Sequence, residues 1–183
     1  MRTYILPFAD PKSQIRLMFM DEASFGRISE RSYCWCPDGI RPIVPCHRVR
    51  EYMYAFGAID PMNGDSSFIV APKCNTDWTN AFLQVVSKEY ANDYLLICLD
   101  RTSWHNSKAL IIPDNIYLFY LPPYTPEMNP IEQIWKEIRK NGFKNTLFST
   151  LNKVMDKLCN SIVSLSNDVV KSVCARDWIV SLF

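Results

Sequence analysis

Two apolar segments that each end in an aspartate decide the fold of this chain: Leu17-Met18-Phe19-Met20-Asp21 and Leu95-Leu96-Ile97-Cys98-Leu99-Asp100. Short apolar runs of this kind predict buried strands. If the two strands are parallel neighbours, Asp21 and Asp100 meet at the edge where open α/β sheets build their sites. Each aspartate is also explained as the cap of a following loop or helix, so the pair alone leaves both interpretations open.

The other segments predict a sheet covered by helices. Apolar patterns predict strands at residues 15–20, 52–59, 67–70, 94–99 and 116–121, and residues 26–35 alternate loosely enough for a further strand. Residues 61–65, Pro-Met-Asn-Gly-Asp, predict the turn of a hairpin. Helices are expected after a cap at Thr76, near Ser107, after residues 122–130 and beyond residue 149. This order predicts an α/β fold in which helices cover both faces of a mixed sheet.

Composition indicates a globular protein of one domain, residues 1–183. The chain is 48% hydrophobic, and its formal net charge of +1 neither favours nor excludes a nucleic acid as partner. Seven cysteines without a regular framework fit a reducing compartment. The longest apolar run, residues 94–99, is too short to cross a membrane, and no secretory signal is visible. We therefore expect a cytoplasmic protein without a membrane partner.

A proline-rich segment leads into a third acidic residue of interest. Asn129 suits the N-cap of a helix and Pro130 its first position, which places Glu132 in the first turn. Glutamate there is common for helix stability alone, because it closes a capping box and interacts well with the helix dipole. However, Glu132 also heads a row of cations at one and two turns' distance: Lys136, Arg139 and Lys140. Such a row suits a metal site with DNA phosphates running past it.

Grouped carboxylates indicate a divalent metal ion. Two like charges at short range repel each other and raise one pKa unless a cation lies between them. Mg²⁺ and similar hard cations prefer carboxylate oxygens as ligands. Asp21, Asp100 and Glu132 are therefore the candidate metal ligands.

Four segments occur together in one order: MFMDEASFG at 18–26, YMYAFGAIDPMNGDSSFIV at 52–70, LLICLDRTSWHNSKAL at 95–110 and LPPYTPEMNPIEQIWKEIR at 121–139. They resemble the corresponding segments of DDE transposases in the insertion-sequence branch of the mariner superfamily, whose catalytic domains are DDE superfamily endonucleases. The resemblance spans roughly residues 17–148, and its proline-rich motif is specific. We take residues 15–148 as the core, followed by C-terminal helices at about 149–183.

The resemblance implies an RNase H-like fold with a mixed five-stranded sheet. It also implies two Mg²⁺ or Mn²⁺ ions held by a catalytic triad of Asp21, Asp100 and Glu132, whose last two members lie 132 − 100 = 32 residues apart. Members of the family cut DNA at transposon ends and insert the element elsewhere, commonly at TA dinucleotides, and generally act as homodimers. A prokaryotic member would be associated with the nucleoid.

The sequence departs from the family in two places. Arg101 follows the second aspartate where many relatives carry a small residue or asparagine, and a cation there either disturbs metal affinity or contacts a phosphate. Relatives also have an N-terminal helix-turn-helix region that recognises transposon ends, whereas about fourteen residues precede the first predicted strand here. We therefore expect a truncated form, one part of a split reading frame, or a degenerate copy.

Several other residues carry weaker signals. The DNA-binding candidates are Arg101, His105, Lys136, Arg139 and Lys140. His105 has two alternatives to a phosphate contact, the orientation of Asp100 and plain loop packing. Glu22 faces away from Asp21 if the strand continues past it, which leaves it at most a supporting role. Cys34, Cys36, Cys46 and His47 leave a zinc site as a minor alternative, since their spacing fits no common structural site well.

Two other functions remain open at this point. A catalytically silent RNase H-like module would serve in DNA binding or dimerisation, although the intact triad argues against decay. A cellular nuclease acting on RNA–DNA hybrids is the other alternative, which the transposase-like proline motif disfavours.

Overall fold

The computed structural model of the chain describes residues 14–28, 33, 35–43 and 46–180. Five strands are present within these ranges: β1 Gln14–Gly26, β2 Tyr52–Ile59, β3 Ser66–Ala71, β4 Asp93–Leu99 and β5 Ile116–Tyr120. Five α-helices accompany them: α1 Thr76–Glu89, α2 Ile131–Gly142, α3 Leu151–Val163, α4 Asn167–Cys174 and α5 Asp177–Val180. A short 3₁₀ turn, Pro126–Met128, precedes α2.

The strands form one mixed sheet in the order β3-β2-β1-β4-β5. The hairpin strands β2 and β3 pair antiparallel, and β2 also pairs antiparallel with β1. On its other side β1 pairs parallel with β4, and β4 with β5. The predicted α/β fold with parallel, adjacent strands before Asp21 and Asp100 is therefore confirmed.

Helices cover both faces of the sheet, as predicted. Alternate residues of β1 point to opposite faces, so Leu17 and Phe19 pack into one core while Met18 and Met20 pack into the other. The first core lies under α2, α3 and α4, and the second lies under α1. Among the described residues, no helix combines the length and apolar character that crossing a membrane requires.

An ion-pair cluster holds β1 in register at the end of the sheet opposite Asp21. The guanidinium of half-buried Arg16 lies 2.8 Å from Asp60 and 2.7 Å from Asp65, which flank the hairpin turn. Its Nε lies 2.7 Å from Asp93, at the start of β4. Arg16 thus joins β1 to both of its neighbouring strands, and this fixes where β1 and β4 end relative to each other.

Two strand predictions need correction. The first strand does not end at residue 20 but runs on to Gly26, because β2 pairs with it from Phe19 to Gly26. The further strand expected at residues 26–35 is wrong for the described part of that range, since residues 27, 28, 33 and 35 lie outside any strand. Residues 29–32 and 34 lie outside the described residues.

Three helix predictions also differ from the structure. Asn75, not Thr76, caps α1, because its side chain accepts the backbone N–H of Trp78 at 3.0 Å. No helix begins near Ser107. There the amide of Asn80 binds Ala109 O and Ile111 N and holds the chain in turns against α1. The third difference concerns α2, which begins one residue later than expected, with Pro130 as its N-cap.

Candidate active site

Asp21 lies within β1, on the face of the sheet that α2 covers. Its Oδ2 accepts the indole N–H of Trp135 at 3.0 Å. Burial, followed by the negative charges of Glu132 and Glu22, raises the pKa of Asp21 to about 7, although hydrogen bonds from the Glu22 backbone and Trp135 oppose the shift. A cation bound nearby would stabilise the ionised form of a carboxylate that is buried close to two others.

Asp100 follows β4 directly and lies beside Asp21. The last parallel pair is Phe19 with Cys98, and the same offset carries Asp21 to Asp100, since 98 − 19 = 79 and 100 − 21 = 79. Neighbouring strands lie about 4.8 Å apart. The carboxylate of Asp100 is half exposed. A hydrogen bond from His105 holds the pKa of Asp100 below its ordinary value, against the opposing effect of burial.

His105 bridges two carboxylates from beneath the site. Its ring is fully buried, with Nδ1 3.0 Å from Oδ1 of Asp100 and Nε2 2.9 Å from Oε1 of Glu22. Burial opposes the charged ring, but the hydrogen bonds to Asp100 and Glu22 outweigh it and raise the pKa of His105 to about 10. Because ionised carboxylates only accept hydrogen bonds, both ring nitrogens donate. This position favours the orientation of Asp100 over a direct DNA contact.

Glu132 lies in the first turn of α2, one turn before Trp135. Residues three apart on a helix are neighbours on its surface, at about 5–6 Å between Cβ atoms. The bond from Trp135 to Asp21 therefore brings Glu132 towards the same carboxylate, and its charge contributes to the raised pKa of Asp21. The predicted capping role of Asn129 for this helix is wrong, because Pro130 occupies the N-cap without a side-chain cap bond.

One open cavity of about 420 Å³ contains the whole predicted triad in its wall. Its lining residues are Asp21, Asp100, Arg101, Thr102, Leu121, Asn129, Glu132 and residues 122–126. The structure thus brings the three carboxylates to one cavity. As their side chains stand, no three His, Cys, Asp or Glu residues in the described part of the chain form a group that could hold a metal ion.

The predicted DNA-binding cations lie in different environments. Arg101 lines the cavity, with its guanidinium carbon 5.6 Å from the centre of the Tyr120 ring. Lys136 and Lys140 are exposed on α2. Arg139 is packed against β1, where it donates to Ser24 O at 3.3 Å and lies 4.9 Å from the Phe25 ring centre.

Three residues of the site were missed or misjudged from the sequence. Trp135 lies in the hydrophobic core, and its N–H also donates to Asp21; the signal in the sequence is that a buried indole N–H needs an acceptor. Glu22 faces away from Asp21 as expected, but it belongs to the His105 bridge, which no sequence pattern indicated. Asn129 donates a hydrogen bond from Nδ2 to Met20 O at 3.0 Å, and its buried Oδ1 has no partner in the part of the chain that the structure describes.

The cysteine cluster gives no support to a zinc site. Cys36 and Cys46 are exposed, and their thiols lie near backbone carbonyls of Ile40 and His47. The Nδ1 of His47 is 3.3 Å from Phe148 O. Cys34 lies outside the described residues.

Solved structures with this fold include several of one transposase. The chain is similar to the pre-cleavage Mos1 transpososome, with a TM-score of 0.66 and 11% identity over 87% of this chain and 52% of that chain. It is also similar to the mariner Mos1 paired-end complex with Mg, with a TM-score of 0.64 and 14% identity over 87% of this chain and 51% of that chain. The chain thus spans about half the length of these transposase chains, and identities this low support the fold, which is the RNase H-like one predicted.

Sequence comparison adds a relative and a family. An uncharacterized protein of Sinorhizobium fredii, y4pE/y4sA, is 31% identical over 130 residues, which cover 69% of this chain and 96% of that protein. The family model of the DDE superfamily endonucleases matches residues 16–155, which include all three predicted triad members. The chain therefore belongs to the DDE superfamily endonucleases, the transposase-type family that its motifs indicate.

Proposed function

We propose that this chain is the catalytic domain of a DDE transposase that cleaves DNA strands and transfers them to new sites. The observation that carries the proposal is the convergence of Asp21, Asp100 and Glu132 from β1, the end of β4 and the start of α2 on one cavity. The matching family of endonucleases supports the same reaction type.

By residue type, the lining of the cavity fits a hard divalent cation, provided that the carboxylates turn towards one another to share it. The donor set consists of carboxylates, with a side-chain amide at the same cavity, and oxygen donors of this kind suit Mg²⁺ and Mn²⁺. Burial and, after it, the negative charges of Glu132 and Glu22 raise the pKa of Asp21, and a bound cation would offset the repulsion between these charges. We assign Asp21, Asp100 and Glu132 as the ligands of two such ions. When bound, the ions would supply Lewis acidity for activating a water or DNA 3′-hydroxyl and for stabilising the departing oxygen.

The chain's own residues hold these ligands in place. Trp135 donates to Oδ2 of Asp21 and thereby fixes the direction of this carboxylate. His105 donates to Oδ1 of Asp100, and its second nitrogen is anchored by buried Glu22. Outer hydrogen bonds of this kind fix the direction of a ligand and typically account for 10–100-fold in metal affinity. In this proposal His105 and Trp135 are positioning residues.

The DNA backbone is proposed to pass along α2 and across the mouth of the cavity. Arg101 lines the cavity itself, and Lys136 and Lys140 are exposed on the helix that carries Glu132. Arg139 lies between them in sequence and is partly held by β1. Phosphate contacts of this kind position the duplex but carry no sequence information.

The finer parts of the proposal follow from the family resemblance. They are action at transposon ends, insertion at TA dinucleotides and work as a homodimer. One similar structure is named a Mos1 transposase paired-end complex with left transposon end, which supports DNA as the partner.

Plasmid nicking with purified protein tests the proposal. With Mn²⁺ or Mg²⁺ we expect nicking that Asp100→Asn lowers by at least about 100-fold, because a direct ligand matters no less than its outer partners. Asp156→Asn, an exposed acidic residue of α3, is the matched control and should retain activity. Metal-dependent nicking that persists in Asp100→Asn refutes the assignment.

Two further measurements test the alternative functions, a catalytically silent module and a nuclease for RNA–DNA hybrids. A silent DNA-binding or dimerisation module would show no Mn²⁺ binding that depends on the triad. A nuclease for RNA–DNA hybrids would cleave a hybrid in preference to duplex DNA of the same sequence.

A further inference from the structure

Asn129, in the wall of the candidate site, carries a buried side-chain oxygen that has no hydrogen-bond partner among the described residues. The residue as a whole is 6% exposed, and no described residue donates a hydrogen bond to its Oδ1. An unsatisfied buried acceptor costs about 1–3 kcal/mol, so each one in a native structure calls for a physical explanation, such as a bound water or ion. Asn129 also lines the cavity that contains the three carboxylates.

The orientation of this amide follows from its neighbour. Nδ2 donates to the carbonyl oxygen of Met20 at 3.0 Å, and a carbonyl oxygen only accepts. A flipped amide would place two acceptors against each other. The oxygen must therefore face away from Met20, and it is the oxygen that lacks a partner.

Asn129 is also hydrogen-bonded to the backbone of both segments that carry Asp21 and Glu132. Met20, to which its side chain is bonded, directly precedes Asp21 in β1. Its own backbone carbonyl accepts the N–H of Glu132 at 3.2 Å. Asn129 thus joins the strand that carries Asp21 to the helix that carries Glu132. Like these two carboxylates, it lines the cavity.

We propose that Asn129 Oδ1 accepts a hydrogen bond from a water molecule of the hydrated divalent cation at this site. Mg²⁺ keeps several waters when it binds to proteins, and each such water needs acceptors. The neutral amide of Asn129 supplies such an acceptor without adding a further negative charge. Glu132 and Glu22 already place two negative charges near Asp21. This inference rests on the proposed function, because it assumes that the triad binds metal.

Calorimetric titration with Mn²⁺ tests the inference without any activity assay. Asn129→Ala is expected to bind Mn²⁺ about 10-fold more weakly than the unchanged chain, the lower end of the effect of outer-shell partners. Asn115→Ala is the matched control: it also loses bonds from an amide to backbone carbonyls, here Ser87, Tyr90 and Asp93, but lies outside the lining of the cavity. Its affinity for Mn²⁺ should not change.

The possible results separate the two proposals. Equal Mn²⁺ affinity of Asn129→Ala and the unchanged chain overturns the role of Asn129 and leaves the metal site intact. Absence of Mn²⁺ binding by the unchanged chain overturns the metal site and, with it, this inference.

A second measurement covers the case in which Asn129→Ala does not fold. In the unchanged chain, nuclear magnetic resonance can follow the side-chain amide of Asn129, identified by its cross-peaks to Met20 and Asp21. Addition of Mg²⁺ should shift this amide with the same concentration dependence as the backbone amide of Asp21. An unshifted side-chain amide alongside a shifted Asp21 overturns the inference.

Discussion

Trp135 donates its indole N–H to Oδ2 of Asp21 across 3.0 Å, and this bond fastens helix α2 to the central strand. The indole is almost fully buried, between the rings of Phe25 and Phe68. Packing and hydrogen bonding therefore act together to place Glu132, one turn earlier, beside Asp21. The geometry of the site depends on a residue that is itself not a ligand.

Replacement of Trp135 by phenylalanine should reduce the free energy of unfolding by about 1.5–3 kcal/mol, since a hydrogen bond to a charged group is lost from a buried position. Urea unfolding at pH 8, where Asp21 is largely ionised, measures this. Trp78→Phe, in a partly exposed tryptophan of α1, is the control and should change stability by less than about 1 kcal/mol. Equal effects of the two substitutions would contradict the role given to Trp135.

The His105 bridge predicts a specific pH dependence of stability. Its pKa is raised to about 10 in the folded chain, above the ordinary 6.5, so the folded state binds the proton more tightly. The stabilisation is fully present below pH 6.5, declines as the pH rises above that value and is lost by about pH 10. His105→Gln should remove this decline, and the comparison is made by urea unfolding of both proteins from pH 6 to pH 10. Parallel curves for the two proteins would rule out a protonated His105.

Tyr124, at the lip of the cavity, adopts a backbone conformation that suits glycine. Its φ is 62° and its side chain is 99% exposed, so it contributes little packing to offset the strain. Tyr124→Gly should leave the free energy of unfolding within about 1 kcal/mol, because relief of strain offsets the extra freedom of the unfolded chain. Tyr124→Val, with a branched side chain at the same position, should lower it by at least about 1 kcal/mol. Thermal unfolding of both variants measures this. A lower stability of Tyr124→Gly than of Tyr124→Val would contradict the explanation by backbone strain.

The cysteines should divide by reactivity. Burial raises the pKa of Cys98 and of Cys174 to about 12, and the thiolate is the reactive form. Cys36, Cys46 and Cys159 are exposed. At pH 8, iodoacetamide should label these three long before the buried pair, as followed by peptide mass spectrometry. Rapid labelling of Cys98 in the folded protein would show that the core of the sheet is not packed as described.

The sequence was sufficient to predict the parallel strands of the sheet, because buried strands follow a local apolar pattern. The roles of Asp21, Asp100 and Glu132 as metal ligands stay a prediction that rests on the family resemblance. Apolar runs ending in Asp21 and Asp100 predicted parallel strands, and the pairing of β1 with β4 confirms it. The length of β1 was not predictable, since the polar pair Asp21 and Glu22 resembles a strand end. Only pairing with β2, which is distant in sequence, shows that the strand continues.

Contacts between distant segments explain what the sequence did not predict. Asn129 and Pro130 together indicated a helix cap, but the Asn129 side chain is drawn to Met20, which is 109 residues away. His105 left three roles open, and the choice among them depends on Glu22, which is 83 residues away. Such choices are settled by which strands are neighbours, and no local pattern encodes that.

The most direct test of the central claim is a crystal structure of the protein grown with Mn²⁺, with anomalous scattering used to locate the ions. We expect Mn²⁺ in the cavity, in contact with the carboxylates of Asp21, Asp100 and Glu132 or with waters bound to them. Manganese bound elsewhere, with these three carboxylates making no contact to it, would show that they are not the metal ligands.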